Sequence, residues 1–481
     1  MHEGSTIGKV KDLPGESPGR IRIGLISPYL GTNLGDMAII ESARSQLVSL
    51  FPTAEIVLIV IDCENVARIH GLETFPLTAV PLPFYFMPGR TSSSDGSDRG
   101  NDSGNPDRVP FRLRLRSVLK NLAGRIPLVL PTAGRIRDGL RSIMIEVPHL
   151  LQARKLVCGL DGLVIAGGGQ FDDEWGGPWG HPYALYKWVM LAHQARVPVY
   201  FAGVGVCEIR HFLTRFFLGG ALARAERVSL RDEGSLEILR RTGIRRELIR
   251  CPDLAFGLPV GESKEQPERV RPTPQPIIGL SPIIFSRPGS WPTAQTALFE
   301  RYWSEFANLG RLLLDAGYSL RLFITDSGDR RLAKTLYDQL KGEGYDESRI
   351  QLFPLAGLPE LVALLKSCDA VIASRLHGVL LGHICSVPVL GISYHRKVSA
   401  HMDDIGQERF SLDFGTFTAS EALQALKSLL ADRTTVVSDV SEACSRRSRE
   451  VESEFVPIGA ALALRTQQLP GQTGKKEQGE K

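Results

Sequence analysis

Residues 369–397 read DAVIASRLHGVLLGHICSVPVLGISYHRK, and the architecture turns on this stretch. It reads as a buried strand at 370–373, a helix opening at Ser374, and a second strand at 389–394 led in by Pro388. Ser374 is a favourable N-cap, which places Arg375 and His377 in the first helical turn. That turn carries unpaired backbone N–H groups and the positive end of the helix dipole, so it favours an anion. The Arg375 guanidinium adds a fixed fork of donors for phosphate or carboxylate. His377 adds a group that gives or takes a proton near neutral pH. Lys397 follows at the C-terminal end of the next strand, the edge where open α/β sheets bind ligands. The reading is an anion site with a titratable neighbour. A plainer one is a structural Arg–His pair tying a helix start to a loop.

Working outward, the chain before and after this stretch continues the alternation. Strands are expected at 277–281, 319–325 and 350–353, with helices at 297–316, 329–341, 359–366 and 421–430. A long terminal helix is expected at 441–464, with Pro457 kinking or interrupting it. The first half repeats the pattern: 21–29 (IRIGLISPY) reads as a strand, 31–36 (GTNLGD) as a glycine-punctuated turn, 37–51 as a helix, and 55–61 (EIVLIVI) as a strand. That order opens a βαβ unit and a parallel sheet. Asp62 ends the second strand as a ribose-binding carboxylate would, but Gly31 and Gly35 stand in a GxxxG spacing, not GxGxxG.

Two further strand ends in the first half carry chemistry. Residues 161–170 (DGLVIAGGGQ) end in Gly167, Gly168 and Gly169, a loop that lets backbone N–H groups approach a ligand with no Cβ in the way. A tight turn explains one of these glycines more readily than three. The acidic run Asp172, Asp173 and Glu174 follows, and adjacent loop carboxylates are more often solvated than metal-bound, so no metal is assigned. A strand at 198–206 precedes 228–243 (VSLRDEGSLEILRRTG), where Arg231 and Asp232 end a short strand and Gly243 closes a helix.

Composition sets outer bounds. At 481 residues, 43% apolar and 23% charged, the chain is a globular protein with room for two or three cores. Its net charge of +4 is too small to imply a nucleic-acid partner. Seven scattered cysteines with no CxxC pair argue against zinc and a disulfide framework, and for a reducing compartment. No apolar h-region or spanning run of ~18 residues is visible, so a cytoplasmic protein is expected. Polar tails are expected at 1–19 and 467–481, a charged, proline-rich linker at 261–276, and an insertion at 88–155. Within it, 108–155 carries eleven Lys/Arg against Asp138 and Glu146. That is either a solvated helical face or a patch for an anionic membrane surface or pyrophosphate-linked glycan.

SRLHG followed by an apolar helix and VPVLGISYHRK resembles the C-terminal signature of the polysaccharide pyruvyl transferase family. Asn33, Gly35 and Asp36 fit its N-x-GD position, the triple glycine fits its GGG loop, and 251–257 (CPDLAFG) fits its Asp after a Pro, here Asp253. The match runs from about 21 to 405 without the insertion. The resemblance implies two Rossmann-like domains, 20–260 and 277–466, facing across a glycosyltransferase-B-like cleft. It implies transfer of a pyruvyl group from phosphoenolpyruvate to sugar hydroxyls, with no cofactor, and a sugar or lipid-linked glycan as acceptor, at the inner face of the membrane if peripheral. His377, Arg375 and Lys397 are then the catalytic set. Arg231, Asn33, Gly35, Asp36, Gly167, Gly168, Gly169 and Tyr394 are expected to bind substrate. His395 is the main competitor for the proton role, whereas His383 lies about 120° round the helix from His377. The rival reading is a nucleotide-sugar glycosyltransferase of the same architecture, whose helix start would hold a diphosphate.

Overall fold

The computed structural model describes residues 21–79, 130–172, 177–207, 209–244, 246–260, 275–285, 295–353 and 357–468, with the backbone alone for 130–143. Expectations for 1–19, 80–129, 173–176, 261–274 and 469–481 lie outside the described residues. In the first half, strands form where β-branched and leucine-rich runs occur: β1 (Arg22–Ile26), β2 (Glu55–Val60), β3 (Glu73–Pro76), β4 (Gly162–Ala166), β5 (Val199–Val204), β6 (Arg227–Leu230) and β7 (Ile249–Arg250). All pair in parallel in the order β3-β2-β1-β4-β5-β6-β7. The second half repeats the plan with β8 (Ile277–Ser281), β9 (Ser319–Leu322), β10 (Ile350–Leu352), β11 (Ala370–Ala373), β12 (Val389–Ser393) and β13 (Ser411–Asp413), ordered β10-β9-β8-β11-β12-β13. Near-continuous apolar runs suit these strands because helices cover both faces of a parallel sheet. Each sheet reverses its strand order beside its first strand, and ligands bind outside the carboxyl ends of strands at such a reversal.

The helices of the first half are α1 (Leu34–Leu50), α2 (Cys63–His70), α3 (Leu130–Val157), α4 (His181–Gln194), α5 (Phe212–Leu222) and α6 (Glu233–Arg241). Those of the second are α7 (Thr296–Asp315), α8 (Arg330–Gly342), α9 (Leu358–Ser367), α10 (Leu376–Ile384), α11 (Arg396–Asp404), α12 (Ala419–Ala431) and α13 (Arg433–Gln468). One hydrophobic core runs through both halves, carried across by α1, α10, α13 and the short 3-10 turn Leu254–Gly257. A second core lies on the other face of the first sheet, under α3, α4 and α5.

Four expectations change. Helix α1 begins three residues earlier than the spacing suggested, because the Asn33 side chain accepts from Gly35 N–H at 2.9 Å and Asp36 N–H at 3.3 Å and caps it. The insertion does not reach residue 155, since α3 already packs Ala153, Leu156 and Val157 into the core. Asp62 takes a structural place, capping α2 by accepting from Asn65 N–H at 3.1 Å. Helix α13 runs unbroken through Pro457 and ends on the other half. There Glu454 pairs with Arg227 at 2.7 Å, and Leu462 fills the space a side chain at Gly162 would take. Packing at both ends outweighs the single hydrogen bond the proline removes.

Candidate active site between the two sheet edges

The loops at the carboxyl ends of the two sheets meet directly. Leu34 N–H donates to the Thr325 carbonyl at 2.8 Å and Ser327 N–H to the Thr32 carbonyl at 3.1 Å, joining Asn33 and Asp326 in an antiparallel bridge. Gly35, in the first turn of α1, lies under the His377 imidazole of the other half. A Cβ built there would stand 1.9 Å from Nδ1. Only glycine admits that approach.

On its far side the His377 ring faces Asp253. Nε2 stands 3.8 Å from the carboxylate, too long for a hydrogen bond, and has no partner. The same Asp253 oxygen accepts from Arg231 at 3.1 Å, and Asp232 lies 3.6 Å from the Arg231 Nε. Burial alone would raise Asp253; His377, Arg231 and the Ala255 N–H outweigh it and hold the carboxyl well below the usual range. Asp36 behaves in the opposite sense. Burial, with the nearby charges of Asp326 and Asp253, pushes it up against the pull of His377. The cleft therefore holds one carboxyl that stays ionised and another that retains its proton more readily.

Arg375 is placed differently from the expectation. Ser374 does not cap α10, because its hydroxyl is buried in a 3.0 Å bond to Tyr302. Arg375 takes the N-cap position with no side-chain bond to the turn. Its guanidinium grips the buried Asp329 through both Nε and Nη2 and has Asp326 3.7 Å away. The charge is thus held between two carboxylates, and the structural side of the Arg–His reading is realised for Arg375. His377 is the second residue of α10, still in the uncapped first turn.

The loop after β12 brings the other cations. Lys397 Nζ lies 5.2 Å over the Tyr394 ring, which leans on Phe285. His395 caps α11 by accepting from Lys397 N–H at 3.2 Å. Burial and then the charges of Lys397, Arg396 and, from the other half, Arg231 push His395 down to about 4, so it is neutral at pH 7. Arg396 crosses to the first half, packing on Gly234 with Asp232 4.0 Å away. Sequence reading missed Arg396, Asp326 and Asp329. The signal was there for all three, since each follows a strand's carboxyl end.

The triple glycine divides by position. Gly167 and Gly168 have positive φ of 36° and 68°, and a Cβ on Gly167 would strike Ile39. Gly169 has neither constraint and is open to solvent. Gln170 anchors the loop, donating to the Ala166 carbonyl at 3.0 Å and accepting from His181 at 2.7 Å. His383 lies away from the cleft, 3.0 Å from His401 in the core. Among the described residues no group of three or more His, Cys, Asp or Glu side chains is arranged to hold a metal. Among the described residues also, no helix is long and apolar enough to cross a membrane.

A family model described as polysaccharide pyruvyl transferase matches residues 33–396, from the cap of α1 to the start of α11. The amylovoran biosynthesis protein AmsJ of Erwinia amylovora is 24% identical over 313 residues, 61% of this chain and 69% of its own. Among solved structures, the UDP-GlcNAc 2-epimerase of Methanocaldococcus jannaschii superposes with a TM-score of 0.50 at 9% identity, covering 85% of this chain and 93% of that one. The Anabaena protein Alr3699/HepE, in complex with UDP and glucose, does so at 0.50 and 13%, covering 92% and 100%. At such identities the likeness shows the fold alone, the two-domain glycosyltransferase-B arrangement.

Proposed function

The chain belongs to the polysaccharide pyruvyl transferase family, and we propose that it moves a pyruvyl group from phosphoenolpyruvate to two hydroxyls of a sugar in a polysaccharide or its precursor, closing a pyruvate ketal. The observation that carries this reading is the meeting, at both sheets' carboxyl edges, of Arg231 with Arg396 and Lys397 around a neutral His395, beside an unpartnered His377 nitrogen. A donor with a carboxylate and a phosphate needs two sets of cations, and a proton delivered to carbon needs a poised acid.

In this reading His377 protonates the methylene carbon of phosphoenolpyruvate, making C2 electrophilic. One sugar hydroxyl adds there and loses its proton. The C–O bond to phosphate then breaks, and a second hydroxyl adds to C2, losing its proton as the ring closes. Arg231, Arg396, Lys397 and the uncapped turn of α10 balance the donor's charge throughout, the kind of preorganised complementarity that dominates such barriers. Asp36, pushed up by burial, stands within electrostatic reach of His377 and is placed to share a proton with it. Arg375, its charge balanced by Asp329 and Asp326, fixes the loop that presents His377. Gly167, Gly168 and Gly169 offer backbone to the ligand, and Tyr394 offers a ring face to the sugar.

AmsJ takes part in amylovoran biosynthesis by its name, which supports a polysaccharide as the end product here. The test is to incubate the protein with phosphoenolpyruvate or with UDP-sugars, each with candidate glycan acceptors, and to assay free phosphate. Acceptor-dependent phosphate release from phosphoenolpyruvate is expected. Glycosyl transfer from a UDP-sugar with no such release overturns the reading.

A further inference from the structure

Away from the cleft, one surface of the first half is unusual. Among the described residues eleven large apolar side chains are exposed, and seven of them lie on or beside α3, α4 and α5. Phe212 and Phe216, one turn apart on α5, are 70% and 62% exposed, and Trp179, just before α4, is 65% exposed. Trp179 and Phe216 belong to one aromatic cluster joined through the buried Phe217, and Phe212 stacks on His211. Trp179 packs 5.4 Å from Phe217, Phe217 5.8 Å from Phe216, and Tyr183 and Tyr186 fill in beneath. On the neighbouring α3, Met144, Val147 and Leu151 share one outward face, spaced by three and four residues.

These residues sit at one level. A helix that follows a parallel strand begins at that strand's carboxyl edge, so Trp179 and Phe212 lie at the edge that carries the site. Glu146 of α3 reaches Tyr183 in the first turn of α4 at 3.3 Å, which brings Met144 and Val147 to the same rim. The loop entering α5 is tied to the one leaving β4, Cys207 N–H donating to the Phe171 carbonyl at 2.9 Å, and Arg231 lies beside it.

The charge on these three helices is one-sided. Lys187 is buried against Glu146. Among the described side chains of the three helices that leaves Arg154, Lys155 and Arg215, all exposed, and no carboxylate besides Glu146. Apolar and aromatic side chains set among cations match the interface of an anionic bilayer, where rings enter the headgroup layer and Lys/Arg meet the phosphates. A second copy of this chain would meet its own positive charge there. We infer that the rim formed by α3, Trp179 and α5 docks on an anionic phospholipid surface, turning the open edge of the cleft toward acceptors held in that surface. The inference stands on the surface itself and is independent of the donor chemistry.

The experiment is flotation of the full chain with phosphatidylcholine vesicles, with and without phosphatidylglycerol, at low and high salt. The wild type is expected to float with the phosphatidylglycerol vesicles and to be released by salt. Phe212→Ser with Phe216→Ser, and separately Arg215→Glu, are expected to weaken binding by ~10-fold or more while the thermal midpoint and phosphoenolpyruvate affinity stay unchanged. Absence of flotation, equal binding to neutral vesicles, or wild-type binding by these variants overturns it. So does a dimer in sedimentation equilibrium that the variants dissociate, which would give the surface to a second copy.

Discussion

Gly35→Ala tests the geometry of the cleft with a single methyl group. The added carbon would stand 1.9 Å from His377 Nδ1 and 2.1 Å from its Cγ, about 1.5 Å short of ordinary van der Waals contact. Gly35 is held by the Asn33 cap and by the Leu34 bond to Thr325, so the imidazole or the whole seam between the halves must yield. Either movement carries Nε2 away from its position 3.8 Å from Asp253. Misplacing a catalytic group by an ångström reduces turnover by ~10²-fold, and a loss of that order is expected here. The backbone φ at Gly35 is ordinary, and helix propensity favours alanine, so the isolated helix is not weakened. Phosphate release from phosphoenolpyruvate, with calorimetric titration of the donor and a thermal melt, separates lost turnover from lost folding. Gly342→Ala, at a position where a Cβ meets nothing, is the control and should match the wild type. Gly35→Ala turning over within about threefold of the wild type, in a protein that still requires His377, would refute the placement of the ring.

Arg375→Ala leaves Asp329, fully buried, without its bidentate partner, so a stability loss of ~3 kcal/mol should accompany weaker donor binding. Arg375→Ala unfolding like the wild type in denaturant would show that the pair is not structural. Burial pushes His181 and His401 down to about 4 and His383 well below its usual value. The unfolded chain takes up these protons near pH 6.5 and the folded one does not, so their stabilising effect is complete above 6.5 and is lost as pH falls toward 4. The thermal midpoint should therefore drop across that window, and His181→Gln should flatten the drop. A pH-independent midpoint from 6.5 to 4.5 would contradict the buried neutral state.

The parallel strands were legible because both faces are buried and the apolar runs need no partner to be recognised. The same logic marked Arg231, His377 and Lys397, each standing just past such a run. What was not legible depends on residues far apart in the chain. Ser374 looks like a cap until its hydroxyl is claimed by Tyr302, 72 residues away in sequence. Arg375 looks like an anion receptor until Asp329 is placed against it from the loop after β9. The onset of α1 was locally encoded in the Asn33–Asp36 spacing, but the two glycines of the turn concealed it. Helix α3 was one of two readings of its basic segment, but its packed side, through Ala153 and Val157, was concealed by its charge and by Pro148 within it. The contact between Gly35 and His377 joins residues 342 positions apart, and only the closed pair of sheets explains why that glycine is there.

The central claim is that a proton from this site reaches the methylene carbon of phosphoenolpyruvate. Turnover in deuterated solvent with a glycan acceptor, followed by NMR of the product, tests it most directly. The wild type should give a pyruvate ketal whose methyl group carries one deuterium per transfer, with one phosphate released. His377→Gln should lower that yield by ~10²-fold or more while donor affinity changes little. A ketal methyl free of deuterium, or His377→Gln forming product at the wild-type rate, would contradict the account.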